Sequence, residues 1–130
     1  HLTIDPVETL MQDGVDLICI GEGEEAIAEL LETGDPRGVR NIGRKENGKP
    51  VIEPLRPYSD ITALPFKDYE IFDFQKIIDA KDGWVGLTAS RGCPFRCTYC
   101  LNHKIIEVYK ESGHLPRGYI RRHTVDQMIV

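Results

Sequence analysis

Apolar and polar positions change their spacing sharply within the first third of the chain. Residues 16–20 form a nearly all-apolar run, typical of a strand buried on both faces of a parallel sheet. Apolar residues then recur at helical spacing, at Ala26, Ile27, Leu30 and Leu31. Gly34 closes this helix, and the Gly21-Glu22-Gly23-Glu24 turn opens it. Strand, glycine turn and helix in this order predict a doubly wound α/β fold.

Local signals predict three further elements. Asp5 and Pro6 suit the start of a short helix that runs to Met11. Asn47-Gly48 lies between two mixed runs, 39–45 and 49–53, and predicts a β-hairpin because both turn residues tolerate positive φ. Pro50 confines the second hairpin strand to a sheet edge.

The second half of the chain is less regular. Residues 54–82 combine prolines with many aromatic residues, which predicts a packed connector without long helices or strands. Residues 84–89 predict a strand, and residues 105–109 fit either a helix or a strand. Thr124-x-x-Gln127 has the capping-box pattern that opens a helix.

Composition narrows the function classes. A chain of 130 residues with 41% hydrophobic and 28% charged residues is ordinary for a globular protein, and no apolar run is long enough to span a membrane. The net charge of −5 argues against a nucleic-acid partner. The four cysteines do not pair naturally, which favours a reducing compartment, the cytoplasm. Because the chain opens on His1 and stops at Val130 inside a helical pattern, we expect it to be a piece of a longer protein.

Three cysteines, Cys93, Cys97 and Cys100, lie in one short stretch with the spacing C-x3-C-x2-C. An odd number of clustered thiols cannot form a disulfide framework, but the three can converge on one metal centre. A closed zinc site needs four ligands, and His103 is the candidate for the fourth, giving a Cys3His zinc module. An iron–sulfur cluster held by three cysteines has one iron open to a ligand. Three idle cysteines are the remaining alternative.

The cysteine spacing, with Ser90-Arg91-Gly92 before it, Tyr99 inside it and Asn102 after it, resembles the motif of radical S-adenosylmethionine (SAM) enzymes. The resemblance implies a [4Fe–4S] cluster held by Cys93, Cys97 and Cys100, with SAM bound to the open iron. It also implies that Tyr99 packs beside the SAM adenine, for which ordinary core packing is the alternative. An external electron donor and a small-molecule substrate would complete the reaction.

The first third of the chain resembles the end of a cobalamin-binding domain found in one class of these enzymes. The resemblance rests on the pattern His1-x-Thr3-x-x-Pro6-x-Glu8, on Gly14-Val15-Asp16 and on the turn at 21–24. It places Gly21 and Gly23 on the cobalamin side, whereas a plain tight turn is the alternative. His1 is not assigned as a cobalt ligand. The segment from Leu64 to Asp73 resembles a strap between the two domains of that class.

These resemblances imply an α/β fragment that joins a doubly wound cobalamin-binding domain to the first strand, cysteine loop and first helix of a radical SAM barrel. The expected parts are residues 1–35, a connector over 36–82 and a barrel segment over 83–130. Members of the class include methyltransferases and an oxidative cyclase. The strap from Leu64 to Asp73 resembles the cyclase-like subgroup most, but the sequence does not separate the two. We expect the fragment alone to be inactive, and no catalytic residue is assigned.

Overall fold

A computed structural model describes residues 2–115 and 117–129; His1, Pro116 and Val130 lie outside the described residues. The described residues divide into two compact units. The first unit comprises those of His1–Ser59 and Cys93–Tyr119, and the second comprises those of Asp60–Gly92 and Ile120–Val130. The three cysteines of the motif belong to the first unit.

The first unit begins with a capped helix and a short strand. Helix α1 spans Pro6–Leu10, and the Asp5 side chain accepts a hydrogen bond from the Glu8 N–H, as the sequence predicts. Strand β1 spans Leu17–Cys19, and helix α2 spans Glu24–Thr33 and ends at Gly34. The acidic residues of the first turn of α2 face the positive end of its dipole. The predicted α1, β1 and α2 are therefore confirmed as elements.

The sheet of the first unit is antiparallel. Strands β2, Ile42–Glu46, and β3, Lys49–Ile52, form the predicted hairpin, and the strand order is β1-β2-β3. The turn residues Asn47 and Gly48 have φ values of 50° and 73°, the left-handed geometry that this turn requires. Pro50 lies in the edge strand β3, opposite Lys45, which confirms its predicted place.

The prediction that β1 lies in a parallel sheet is wrong, because the structure pairs β1 with β2 in antiparallel orientation. Cys19 pairs with Ile42 and Leu17 with Arg44, both antiparallel. Burial on both faces is also wrong, because Leu17 is 42% exposed while Ile18 is buried. A fully apolar run does not reveal its partner, and here the Asn-Gly hairpin supplies the neighbouring strand.

Two small apolar clusters hold the first unit together. One consists of Leu10, Ile18, Ile20 and Leu55, with Val108 packed against it. The other consists of Ala26, Val39 and Ile42, with Leu30 and Cys19 packed against it. Helix α4, Asn102–Glu111, contributes Val108, which settles the ambiguous stretch at 105–109 as helical.

The second unit has few regular elements. Helix α3 spans Phe74–Asp79, and strands β4, Ser90–Arg91, and β5, Arg121–Arg122, pair antiparallel. Helix α5 spans Asp126–Ile129, and reciprocal hydrogen bonds between Thr124 and Gln127 confirm the capping box.

The predicted strand over 84–89 is wrong. Trp84 is 79% exposed and Leu87 is 57% exposed, and the strand proper starts only at Ser90. A strand needs a partner, and β5 offers pairing only to Ser90 and Arg91, with one added bond from the His123 N–H to the Ala89 carbonyl.

Candidate functional site

The three motif cysteines lie on the segment that leads into α4. Each thiol is free and half-buried. The Cys100 N–H donates to the Cys97 carbonyl at 3.0 Å, which closes a turn around Thr98 and Tyr99. Pro94 has no N–H to give, and its fixed φ stiffens the segment just after Cys93.

The cysteine side chains fit a metal centre by chemistry but do not converge as they are placed. Three free thiols on one short segment are a suitable donor set for zinc or for an iron–sulfur cluster. Within residues 2–115 and 117–129, however, no three His, Cys, Asp or Glu side chains are arranged to share a metal ion. The assignment of Cys93, Cys97 and Cys100 as metal ligands therefore stays a prediction.

Tyr99 and His103 flank the last cysteine in different surroundings. Tyr99 is 89% exposed, so the alternative of core packing is wrong for this ring, and its predicted contact with SAM stays a prediction. His103 is the second residue of α4, and its Nδ1 is buried without a hydrogen-bond partner among the described residues. His103 does not form a three-ligand group with the cysteines.

The glycine turn after β1 is closely surrounded by protein atoms. Gly21 has φ +77° and its N–H donates to Thr3 Oγ1 at 3.0 Å. A Cβ on Gly21 would lie 2.2 Å from the hydroxyl oxygen of Tyr109, and one on Gly23 would lie 3.4 Å from Cys19 Sγ. Both glycines thus have a packing role, and their predicted place beside cobalamin stays a prediction.

Glu22 is fixed at three points within this turn. Its N–H donates to the Tyr109 hydroxyl at 3.3 Å, and its carbonyl accepts from Asn41 Nδ2 at 2.9 Å. Its carboxylate accepts from the Ser59 N–H at 2.8 Å. A carboxylate engaged in this way holds the chain near Ser59 against the turn.

A second network surrounds Arg56, which the sequence pattern does not single out. Its guanidinium contacts the carboxylates of Glu25, 3.4 Å away, and of Glu29, and it donates to the Arg40 carbonyl at 2.8 Å. Burial, followed by the charge of Glu24, raises the pKa of the nearby Cys19 thiol, and Arg56 opposes this rise. Cys19 is therefore held in the thiol form more firmly than an exposed cysteine.

The sequence did not predict the mutual contacts of the tyrosines in the first unit. Tyr58 stacks on Tyr109 with ring centroids 4.0 Å apart and an interplanar angle of 18°, and it lies 5.5 Å from Tyr119. Tyr109 and Tyr119 are buried. The apolar residues around 105–109 hinted at a packed helix, but the positions of its partners, far away in the chain, carry no pattern.

A cavity of about 450 Å³ lies beside the core of the first unit. Its lining includes Ile4, Ile20, Leu55, Val108 and Glu111. None of the described residues that the sequence predicts to bind a metal or a cofactor lines this cavity.

No helix within the described part of the chain is long and apolar enough to cross a membrane.

Comparisons with known proteins give two relatives. The chain is 33% identical over 107 residues to an uncharacterized methyltransferase of Pyrococcus horikoshii, covering 77% of this chain and 23% of that protein. It is 30% identical over 107 residues to an uncharacterized methyltransferase of Synechocystis, covering 80% of this chain and 16% of that protein. No family model and no solved structure matches. The similarity suggests a methyltransferase-like family, and the chain spans less than a quarter of either relative.

Proposed function

We propose that this chain is part of a SAM-dependent methyltransferase of the radical SAM class. The observation that carries the proposal is the C-x3-C-x2-C spacing of Cys93, Cys97 and Cys100, with Ser90-Arg91-Gly92 before it. The names of the two relatives favour methyl transfer over oxidative cyclisation. The proposed activity is that of the whole protein, which would also use an external electron donor and a small-molecule substrate.

Each thiolate would bind one iron of a [4Fe–4S] cluster, which leaves the fourth iron for SAM. A cluster in this place would supply the electron that cleaves SAM to methionine and a 5′-deoxyadenosyl radical. Tyr99, which faces solvent between Cys97 and Cys100, is the proposed neighbour of the adenine. Arg91 and Arg96 add two positive charges to the segment in sequence, where they would partly balance the negative charge of bound thiolates.

Cobalamin is the second cofactor of the proposal, and it rests on the sequence resemblance around Gly21 and Gly23. The packing of these glycines against Tyr109 and Cys19 explains them without a ligand. Cobalamin binding therefore needs its own measurement, by equilibrium dialysis of hydroxocobalamin against the chain, independent of any result on the cysteines.

Anaerobic reconstitution with iron and sulfide tests the cluster. The wild-type chain should retain iron and sulfide with a broad visible absorption, and Cys93→Ala should lose most of both. Cys19→Ala is the matched control, because Cys19 lies outside the motif and should leave iron binding unchanged.

Zinc binding is the alternative that the same experiment distinguishes. The buried, unpartnered Nδ1 of His103 is the observation in its favour, since a metal would satisfy this nitrogen. A colourless protein that holds one zinc per chain, and loses it in both Cys93→Ala and His103→Ala, would replace the cluster by a Cys3His site.

A further inference from the structure

Helix α4 directly follows the cysteine segment and is held at both ends by buried tyrosines. At its C-terminal half, Tyr109 is 1% exposed and its hydroxyl accepts from the Glu22 N–H at 3.3 Å. At its first residue, Asn102, the Tyr119 hydroxyl lies 3.0 Å from the side-chain oxygen and 3.3 Å from the carbonyl oxygen. Asn102 is two residues from Cys100, so whatever fixes Asn102 limits where Cys100 can lie.

Tyr58 joins these two attachments. Its ring stacks on Tyr109 at 4.0 Å and lies 5.5 Å from the ring of Tyr119. Stacked and tilted aromatic pairs at such distances attract beyond the area that they bury. We call Tyr58, Tyr109 and Tyr119 the tyrosine clasp.

The Tyr109 side chain of the clasp packs closely against Gly21 in the turn after β1. A Cβ on Gly21 would lie 2.2 Å from the Tyr109 hydroxyl oxygen and 3.1 Å from the adjacent ring carbon. Such approaches leave room for glycine only, and the φ of +77° at Gly21 also favours glycine. Two neighbours reinforce this end of α4, because Val108 packs against the apolar core and His114 Nε2 lies 2.9 Å from the Leu55 carbonyl oxygen.

We propose that Tyr58, Tyr109 and Tyr119 are positioning residues, which fix Cys100 and the start of α4 relative to the turn at Gly21. A continuous set of contacts runs from Gly21 through Tyr109, Tyr58 and Tyr119 to Asn102. This inference extends the proposed function and rests on it, because the cysteines are metal ligands only under that proposal. The contacts themselves involve no metal.

Hydrogen exchange with mass spectrometry tests the clasp without any cofactor. Tyr119→Phe and Tyr109→Phe each remove one hydroxyl and keep the ring. Loss of the hydroxyl contacts should speed exchange in residues 97–111 by about two- to tenfold. Peptides from α2 and from the β2–β3 hairpin should exchange at wild-type rates. Tyr69→Phe, a tyrosine of the second unit, is the matched control and should change neither region.

A second pair of variants tests the contact at Gly21. Gly21→Ala places a methyl group against Tyr109, whereas Gly38→Ala has the same φ of +77° with no atom within 4 Å of the added carbon. The two positions have the same φ, so the effect of Gly21→Ala on residues 97–111 in excess of that of Gly38→Ala reports the contact. If Gly21→Ala does not fold, the two Phe variants still decide the question.

Cysteine labelling separates positioning from general stability. Alkylation followed by mass spectrometry gives a rate for each thiol, and Tyr119→Phe should change the rates of Cys97 and Cys100 while Cys19 keeps its own. Equal acceleration at every cysteine and in every peptide, or no change anywhere, would overturn the inference. Failure of the proposed cluster looks different, because the wild-type chain would then take up no iron and sulfide while the exchange and labelling results stand.

Discussion

Asn41 offers the sharpest test of how the first unit is held together. The residue is 1% exposed and has a φ of +72°, which is rare for a side chain other than glycine. Its Nδ2 donates to the Glu22 carbonyl at 2.9 Å, and its Oδ1 accepts from the Arg56 N–H at 2.5 Å. The side chain thus bridges two backbone segments that share no strand pairing. We consider Asn41→Ala and Asn41→Gly.

The expected loss of stability has a side-chain part and a backbone part. Removing the amide leaves one backbone acceptor and one backbone donor without this partner, at about 1–3 kcal/mol each when buried. Both are only partly buried, so the lower values apply and the side-chain part is about 2–3 kcal/mol. Alanine also pays about 1–2 kcal/mol for the left-handed backbone, a cost that glycine avoids.

Urea unfolding followed by far-ultraviolet circular dichroism measures these losses. With a slope of about 1–3 kcal/mol per molar urea, the midpoint should fall by about 1–2 M for Asn41→Gly and further for Asn41→Ala. Wild-type stability of Asn41→Gly would refute the side-chain bridge and leave backbone strain as the only role of this position. Equal losses in both variants would refute the backbone part.

The hairpin turn and an ion pair give two further expectations. Gly48→Ala should destabilise the first unit by about 1–2 kcal/mol, because φ is +73° at this position. Thermal unfolding measures the loss, and Asn47→Gly, which should be nearly neutral, is the control. The hydrogen bond from Arg44 is the main cause that lowers the pKa of Glu53 below its ordinary value of 4.5. The stability from Glu53 is therefore full above that value and is lost as pH falls through the lowered pKa, so the advantage of wild type over Glu53→Gln in urea should shrink on acidification. An advantage that stays constant down to acidic pH would contradict this assignment.

The elements that the sequence predicts well depend on neighbours in the chain. Asp5 caps α1, and Asn47-Gly48 turns the hairpin, because each signal and its effect lie within four residues. The strand expected over 84–89 is wrong because, among the described residues, β5 pairs only with Ser90 and Arg91, and apolar residues also suit an irregular segment. A strand forms only where a second segment pairs with it, and the sequence of one segment does not reveal the other.

In the candidate site, too, features set by neighbouring residues can be predicted from the sequence, whereas contacts between distant residues cannot. The spacing of Cys93, Cys97 and Cys100 is local, so the sequence alone marks them as a donor set. The contact between Gly21 and Tyr109 joins positions far apart, and neither residue type is unusual where it stands. Glycine at 21 is compatible with a ligand turn and with close packing alike, and only the fold shows which atoms approach it.

The anchoring of α4 also bears on how the three thiols would meet. Cys100 lies next to a helix whose first residue is held by Tyr119. Cys97 is joined to Cys100 by the turn hydrogen bond, whereas Cys93 lies before that turn. Metal binding commonly supplies the free energy that orders its own ligands. If the thiols bind a cluster as proposed, we expect Cys100 to keep its position and the segment around Cys93 to adjust to it. That adjustment would fall on residues 93–96, which belong to no helix or strand, and irregular segments change conformation at lower cost than packed elements.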